Sequence, residues 1–222
     1  LGDVYKRQML THVNYRDGSL HDMADLTRAA HDAGALVVWD LAHSAGALRV
    51  DIAGCHADFA VGCGYKYLNG GPGAPAFLYV APRHHGGFRQ PLSGWFGHRD
   101  PFEFTPQYDA AGDIGQYLCG TPPVLSMVAL DAALDVWDGV NITALRAKSQ
   151  ALTGYFIELV ETRCAGHGLT LISPRDPEAR GSQVSFTHAQ GGYAIISALI
   201  ADGVIGDFRA PDVLRFGFTP LY

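Results

Sequence analysis

The stretches that decide the fold are GALVVWDLAHSAG, residues 34–46, and DFAVGCGYKYLNGGPGAP, residues 58–75. Each contains a short apolar run of the kind that forms a buried strand. One ionisable residue follows each run, Asp40 in the first stretch and Lys66 in the second. Because the carboxyl ends of parallel strands meet at one edge of a sheet, we expect this carboxylate and this amine to lie on the same rim.

The elements around these stretches predict an α/β fold. A strand over 10–15, a helix from Ser19 to Gly34 and a strand over 35–39 follow one another. This order implies a right-handed crossover and a parallel sheet covered by helices on both faces. The run 76–81 comes after a Gly/Pro-rich loop and is predicted to be a reversed neighbour strand.

The second half of the chain changes character. Residues 82–120 show little periodicity, which is typical of a functional or interfacial loop. A helix is predicted to begin with Thr121 as its N-cap, and Asn141 caps another, longer helix. Short strands and one further helix beyond Gly168 predict a small α+β unit packed behind the long helix.

These patterns divide the chain into three segments. Residues 1–8, LGDVYKRQ, show neither strand alternation nor a helix face, and we expect them to be foreign to the fold. Residues 9–139 are assigned to a large domain with a mostly parallel sheet and flanking helices. Residues 140–222 are assigned to a small C-terminal domain that is truncated at its end, since GFTPLY is followed by no closing helix.

Composition excludes several classes of function. The net charge of -6 comes from 16 basic and 22 acidic residues without long runs, so no basic face for nucleic acid or an anionic membrane is visible. The four cysteines are irregularly spaced and no signal peptide precedes them, which favours the cytoplasm. No apolar stretch approaches the roughly 20 residues that cross a bilayer. The histidines show no metal-ligand spacing.

An amine and a carboxylate on one rim suggest the cofactor pyridoxal 5'-phosphate. This cofactor needs a lysine to hold its aldehyde as a Schiff base and an acid to keep its pyridine nitrogen protonated. On spacing alone, however, Lys66 is more often a surface lysine, and Asp40 could simply cap the turn after its strand. The residue pattern leaves both interpretations open.

Several motifs together resemble one enzyme family. They are, in chain order, THVNYRDG (11–18), WDLAHSAG (39–46), GYKYLNGGPG (64–73), SGWFGH (93–98), GTPP (120–123) and LRFGFTPLY (214–222). In these motifs and their order, the chain resembles bacterial kynureninase, a pyridoxal-phosphate enzyme of the aspartate-aminotransferase-like fold class, from Leu10 onward. The resemblance implies that the chain is the C-terminal part of an enzyme whose phosphate-cradling loop would precede Leu10.

The resemblance implies a role for each of five residues. Lys66 is the Schiff-base lysine, which also carries protons once substrate displaces it. Asp40 contacts the pyridine nitrogen, and His43 is a further cofactor contact. The Tyr65 hydroxyl reaches the phosphate and could help to relay protons. Arg215 holds the α-carboxylate of the substrate in a bidentate pair.

Two further residues are implied to contact the phosphate from the partner subunit of a homodimer. They are Trp95, through its indole N–H, and Thr121, through its hydroxyl at a helix N-terminus. Without the resemblance, Trp95 would be an interface or core residue and Thr121 an N-cap. The implied reaction is hydrolysis of L-kynurenine to anthranilate and L-alanine in tryptophan catabolism, and of 3-hydroxykynurenine to 3-hydroxyanthranilate and L-alanine.

Two alternatives stay open. Cysteine desulfurases and selenocysteine lyases share the fold, the lysine and the aspartate, but they usually carry histidine before the lysine and a cysteine on a mobile loop. Here Tyr65 precedes Lys66, and Cys164 lies at a predicted helix end. The other alternative is an inactive fragment, because the phosphate-binding loop would lie upstream.

Overall fold

The computed structural model describes residues 6–221. Its first half consists of β1 (Arg7–Thr11), α1 (Met23–Asp32), β2 (Leu36–Asp40), β3 (Phe59–Cys63) and β4 (Ala76–Val80). Its second half consists of α2 (Val124–Leu134), α3 (Ile142–Arg163), β5 (Thr170–Leu171), β6 (Gln183–Thr187), α4 (Gly192–Ala201), β7 (Asp207–Arg209) and β8 (Val213–Gly217). Short 3-10 turns lie at Pro82–His84, Trp95–Gly97, Ile114–Tyr117, Asp135–Trp137 and Pro177–Ala179.

The first sheet has the order β1-β2-β3-β4. The first three strands are parallel, and β4 pairs antiparallel with β3, as the sequence predicted. Val37 and Trp39 of β2 are completely buried in the core of this sheet. The Trp39 indole Nε1 donates a hydrogen bond to Thr27 Oγ1 of α1 at 3.0 Å, which fixes the helix on the sheet without leaving a buried donor unpaired.

The second sheet is antiparallel, with the order β5-β6-β8-β7. One face packs on the long helix α3, where Ile157 contacts Val184 and Phe186 of β6. Phe156 of the same helix lies 5.0 Å from Phe216 of β8, centroid to centroid. The predicted arrangement, a mostly parallel sheet followed by a small α+β unit, is confirmed.

The first strand differs from the prediction of 10–15. β1 begins at Arg7, which pairs with Leu36, and ends at Thr11. The last two residues of the segment 1–8 are therefore part of the strand, while residues 1–5 lie outside the described part of the chain. The foreign origin of that segment stays a prediction.

Two helix starts also differ from the predictions. Asp22, not Ser19, caps α1, and its side chain accepts a hydrogen bond from the Asp25 amide at 2.9 Å. Thr121 caps no helix, because α2 begins at Val124 after Pro123. A residue that precedes proline is disfavoured in the helical region, so the two consecutive prolines delay the helix.

A chain of hydrogen bonds connects the two sheets. The Tyr67 hydroxyl, in the loop after β3, donates to the Ser182 carbonyl at 3.0 Å. Ser149 Oγ of α3 donates to Ser182 Oγ at 2.7 Å. On the other side, the Gln183 side chain donates to the Tyr15 carbonyl at 2.9 Å. These contacts fix the second sheet over the carboxyl edge of the first.

No helix within residues 6–221 combines the length and the apolar character that crossing a bilayer requires.

Candidate active site

A cavity of about 470 Å³ opens between the carboxyl edge of the first sheet and the second sheet. The loop after β3 supplies Lys66 to its wall, and the turn after β2 supplies His43. That turn comes so close to the β3 loop that a Cβ on Gly46 would lie 2.7 Å from the Tyr67 carbonyl oxygen. Gly46 also has a φ of 85°, so glycine permits both the turn and the approach.

Lys66 and His43 are in direct contact. Lys66 Nζ lies 3.0 Å from His43 Nε2. Burial, followed by the positive charges of Lys66 and Arg215, lowers the pKa of His43 to about 4, against the opposing effect of Asp40. The imidazole is therefore neutral at neutral pH and can accept a hydrogen bond from the lysine amine.

Asp40 is the last residue of β2 and adjoins the cavity without being part of its lining. One carboxylate oxygen accepts a hydrogen bond from the Ala42 amide at 2.8 Å, which holds the side chain in the turn that leads to His43. The carboxylate raises the pKa of His43. The structure thus brings Asp40 into electrostatic contact with the residue that touches Lys66.

Tyr65 lies beside Lys66 on the cavity wall and is 52% exposed. The Lys66 amine lies 5.5 Å from the centre of its ring. Cys63, followed by burial and Asp40, raises the pKa of Tyr65. The phenol therefore stays protonated at neutral pH and can donate a hydrogen bond into the cavity.

Arg215 enters the cavity from β8. Its Nη2 forms an ion pair with Asp207 Oδ2 of β7, and its Nη1 donates to the Tyr15 carbonyl at 2.5 Å. Its side chain is 12% exposed. The cavity therefore presents both a guanidinium and an amine, and these two groups are suited to the carboxylate and the reacting end of an amino acid.

Trp95 and Thr121 lie away from this cavity. Trp95 is 44% exposed and contacts Phe96 and Phe102 edge to face. Thr121 lines a separate apolar groove along α2. The Trp95 Nε1 atom is 4.0 Å from the position that a Cβ on Gly120 would occupy, so the two predicted residues are near each other. The structure divides the predicted site into a cavity group and this second group.

Tyr67 and Asp207 also line the cavity, although the sequence did not single them out. Burial raises the pKa of Tyr67 to about 12, and its hydroxyl donates to Ser182. Its place in GYKYLNGG, one residue past Lys66, could have drawn attention to it. Asp207 carries no comparable signal, because its position opposite Arg215 depends on the register of β7 and β8.

The donor set fits pyridoxal phosphate better than a metal. An amine beside a neutral imidazole can bond an aldehyde, and a carboxylate at the neighbouring strand end can contact a pyridine nitrogen. Residues 6–221 contain no group of three or more side chains arranged to hold a metal ion.

Comparison with known sequences points to one family. Residues 145–222 match the family model of the kynureninase C-terminal domain. The kynureninase of Burkholderia mallei (strain SAVP1) is 56% identical over the whole chain, which covers 53% of that protein. The kynureninase of Pseudomonas fluorescens is 56% identical over 96% of this chain and 51% of its own length. The chain spans about half the length of the curated relatives that it matches.

Solved structures share the fold at low sequence identity. The cysteine desulfurase of Thermococcus onnurineus NA1 has a TM-score of 0.81 at 21% identity, over 96% of this chain and 55% of that one. An alanine–glyoxylate aminotransferase from Nostoc sp. has a TM-score of 0.68 at 18% identity, over 97% of this chain and 57% of that one. The fold is therefore that of part of an aminotransferase-like pyridoxal-phosphate enzyme. By sequence, the chain is similar to about half the length of these kynureninases, and its residues 145–222 match the model of their C-terminal domain.

Proposed function

We propose that this chain is the C-terminal part of a pyridoxal-phosphate-dependent kynureninase. The complete enzyme hydrolyses L-kynurenine to anthranilate and L-alanine, and 3-hydroxykynurenine to 3-hydroxyanthranilate and L-alanine. One observation carries the proposal: the cavity holds the Lys66 amine against a neutral His43 and also contains Arg215, in a chain 56% identical to kynureninases.

Four residues of the chain would hold the cofactor. Lys66 would bond its aldehyde, Asp40 would contact its pyridine nitrogen, His43 would be a further cofactor contact, and the Tyr65 hydroxyl would reach the phosphate. When bound, pyridoxal phosphate supplies an electron sink for the negative charge that develops on the substrate. A carboxylate next to the pyridine nitrogen keeps that nitrogen protonated, which makes the sink effective.

The residues of the chain then bind and orient the substrate and move its protons. Arg215 holds the α-carboxylate, which fixes the direction of the bonds at Cα. Lys66 lines the same cavity as Arg215 and would take the proton from Cα. The neutral His43 accepts a hydrogen bond from the lysine and so keeps the amine aimed into the cavity.

We further propose that the working enzyme is a homodimer with a shared site. Trp95 and Thr121 belong to one exposed region outside the cavity of their own chain. This separation supports a role in which they contact the phosphate in the cavity of a second copy.

We also propose that the protein acts in the cytoplasm. All four cysteines are free, which agrees with a reducing compartment.

The desulfurase alternative rests on fold alone. The similar desulfurase is 21% identical, whereas the kynureninases are 56% identical over the same chain. Cys164 is the C-cap of α3 and does not line the cavity. No observation of the structure favours sulfur transfer, and the kynureninase proposal stands.

The proposal is tested by adding pyridoxal phosphate to the purified chain. We expect an absorbance band near the visible edge that is absent in Lys66→Ala, because only a lysine amine in the cavity can bond the aldehyde. Lys148→Ala, a lysine of α3 outside the cavity, is the matched control and should keep the band. If the wild-type chain shows no band, the inactive-fragment alternative is supported instead.

Turnover is measured separately, in the full-length protein that contains this chain, by the fluorescence of anthranilate released from L-kynurenine. Release of sulfur from cysteine with no turnover of L-kynurenine would instead support the desulfurase alternative.

A further inference from the structure

We propose that Asp207 is a positioning residue that holds the Arg215 guanidinium in the orientation that binds the substrate carboxylate. The inference rests on the proposed function of Arg215 and adds to it a residue that the family motifs quoted above do not contain.

The backbone places the two residues face to face. Asp207 of β7 and Arg215 of β8 are directly paired in the antiparallel register. Their side chains form an ion pair through Asp207 Oδ2 and Arg215 Nη2, and both residues line the cavity. The contact is therefore built into the sheet and does not depend on a loop.

The guanidinium is fixed at both of its terminal nitrogens. Nη2 contacts Asp207, and Nη1 donates to the Tyr15 carbonyl at 2.5 Å. A guanidinium offers five N–H donors, so the others can take a ligand carboxylate. An arginine held in this way loses less rotamer entropy on binding than a free one.

Asp207 is itself anchored. Its Oδ2 also contacts Arg209 Nη2 at 3.0 Å, on the same strand. Two arginines thus share one carboxylate, and only Arg215 faces the cavity, since Arg209 is not part of its lining. The carboxylate acts on the substrate through Arg215.

Positioning and charge predict opposite effects of mutation. If Asp207 merely weakened the positive charge of Arg215, its removal would tighten the binding of a carboxylate. If Asp207 positions the guanidinium, its removal weakens binding. Asp207→Asn keeps an oxygen that accepts from Nη2, so positioning also predicts a smaller loss for Asn than for Ala.

The test uses the whole chain labelled with ¹⁵N-arginine, and the Nε–Hε signal of Arg215 is assigned by its absence in Arg215→Lys. We expect Asp207→Ala to shift this signal and to speed rotation of the guanidinium, with a smaller change in Asp207→Asn. Asp202→Ala, an exposed position at the C-cap of α4, should change neither. An Arg215 signal that is the same in wild type and in both Asp207 variants overturns the proposal, whether or not the chain binds cofactor.

Ligand titration gives the second readout. The probes are L-kynurenine and kynuramine, which lacks the α-carboxylate. We expect Asp207→Ala to weaken the binding of L-kynurenine by about tenfold, since one charge-assisted contact to its carboxylate is lost. The binding of kynuramine should hardly change. Tighter binding of L-kynurenine in both variants overturns the proposal. Failure of wild type to distinguish the two probes contradicts the carboxylate role of Arg215, and so the proposed function, while the arginine signal still decides the role of Asp207.

Discussion

At the scale of single residues, the contact between His43 and Lys66 sets the chemistry of the cavity. A histidine with an ordinary pKa would carry a proton for part of the time near neutral pH and would repel the lysine. Burial and two neighbouring cations keep this one neutral. The imidazole can therefore act as a hydrogen-bond acceptor near neutral pH.

We expect Lys66→Ala to raise the pKa of His43 from about 4 toward its ordinary 6.5, because the substitution removes the largest charge effect on the imidazole. The rise stays incomplete, since burial is the larger cause. An NMR titration of the His43 ring measures the change, with Lys148→Ala as control. An unchanged pKa would contradict the close contact of the two side chains.

The sequence predicted the position of some site residues but not of others. Asp40 and Lys66 each follow a short apolar run. The length and apolar pattern of these runs were enough to predict two strands and to place both residues at one edge of the sheet. Asp207 and Arg215 are neighbours through an antiparallel register, which nothing in their own spacing reveals. Trp95 and Thr121 were assigned through the resemblance, and their roles stay predictions.

At the scale of elements, the helix N-termini show where local rules succeed. Asn141 caps α3, and its side chain accepts from the amides of Thr143 and Ala144 at 2.9 and 3.1 Å. Thr121 was predicted to do the same for α2, but two prolines intervene. The capping rule worked where the following residues have N–H groups and no proline restricts the backbone.

Asn141→Ala should lower the free energy of unfolding by about 1 kcal/mol, because α3 then loses the acceptor for two amides. Thr121→Ala should change it by less than about 0.5 kcal/mol, since Thr121 caps no helix. Urea unfolding of the two variants beside the wild type measures both values. Equal losses would show that Thr121 stabilises α2 after all.

At the scale of the whole molecule, Asp58 holds several elements together at the edge of the first sheet that is remote from the cavity. The carboxylate is buried at the start of β3 and contacts His31 of α1 at 2.8 Å, His84 at 2.7 Å and Arg83 at 2.7 Å. It also accepts from the Val37 amide at 2.9 Å. One charge thus joins a helix, two strands and the turn after β4.

This carboxylate predicts a pH dependence of stability. Burial alone would raise the pKa of Asp58, but hydrogen bonds from His84, His31, Val37 and Arg83 together lower it well below its ordinary 3.8. The unfolded chain therefore binds the proton more readily, and the stabilisation is present above pH 3.8 and lost as the pH falls below it.

We expect Asp58→Asn to lower the free energy of unfolding at pH 7 by about 3 kcal/mol, because a buried carboxylate that pairs with Arg83 and hydrogen-bonds His31 and His84 loses its charge. The difference from wild type should shrink below pH 3.8. Urea unfolding across this range tests it, with Asp51→Asn, an exposed carboxylate, as control. A difference that is constant with pH would exclude the charge of Asp58 as its source.

The hydrogen bonds from Ser149 through Ser182 to Tyr67 end one residue away from Lys66. A shift of the second sheet would therefore be transmitted to the lysine loop, so a substitution on α3 that never touches the cavity can still move the Lys66 amine. The buried face of α3 is therefore connected to the lysine loop through Ser149, Ser182 and Tyr67, although it lies outside the cavity.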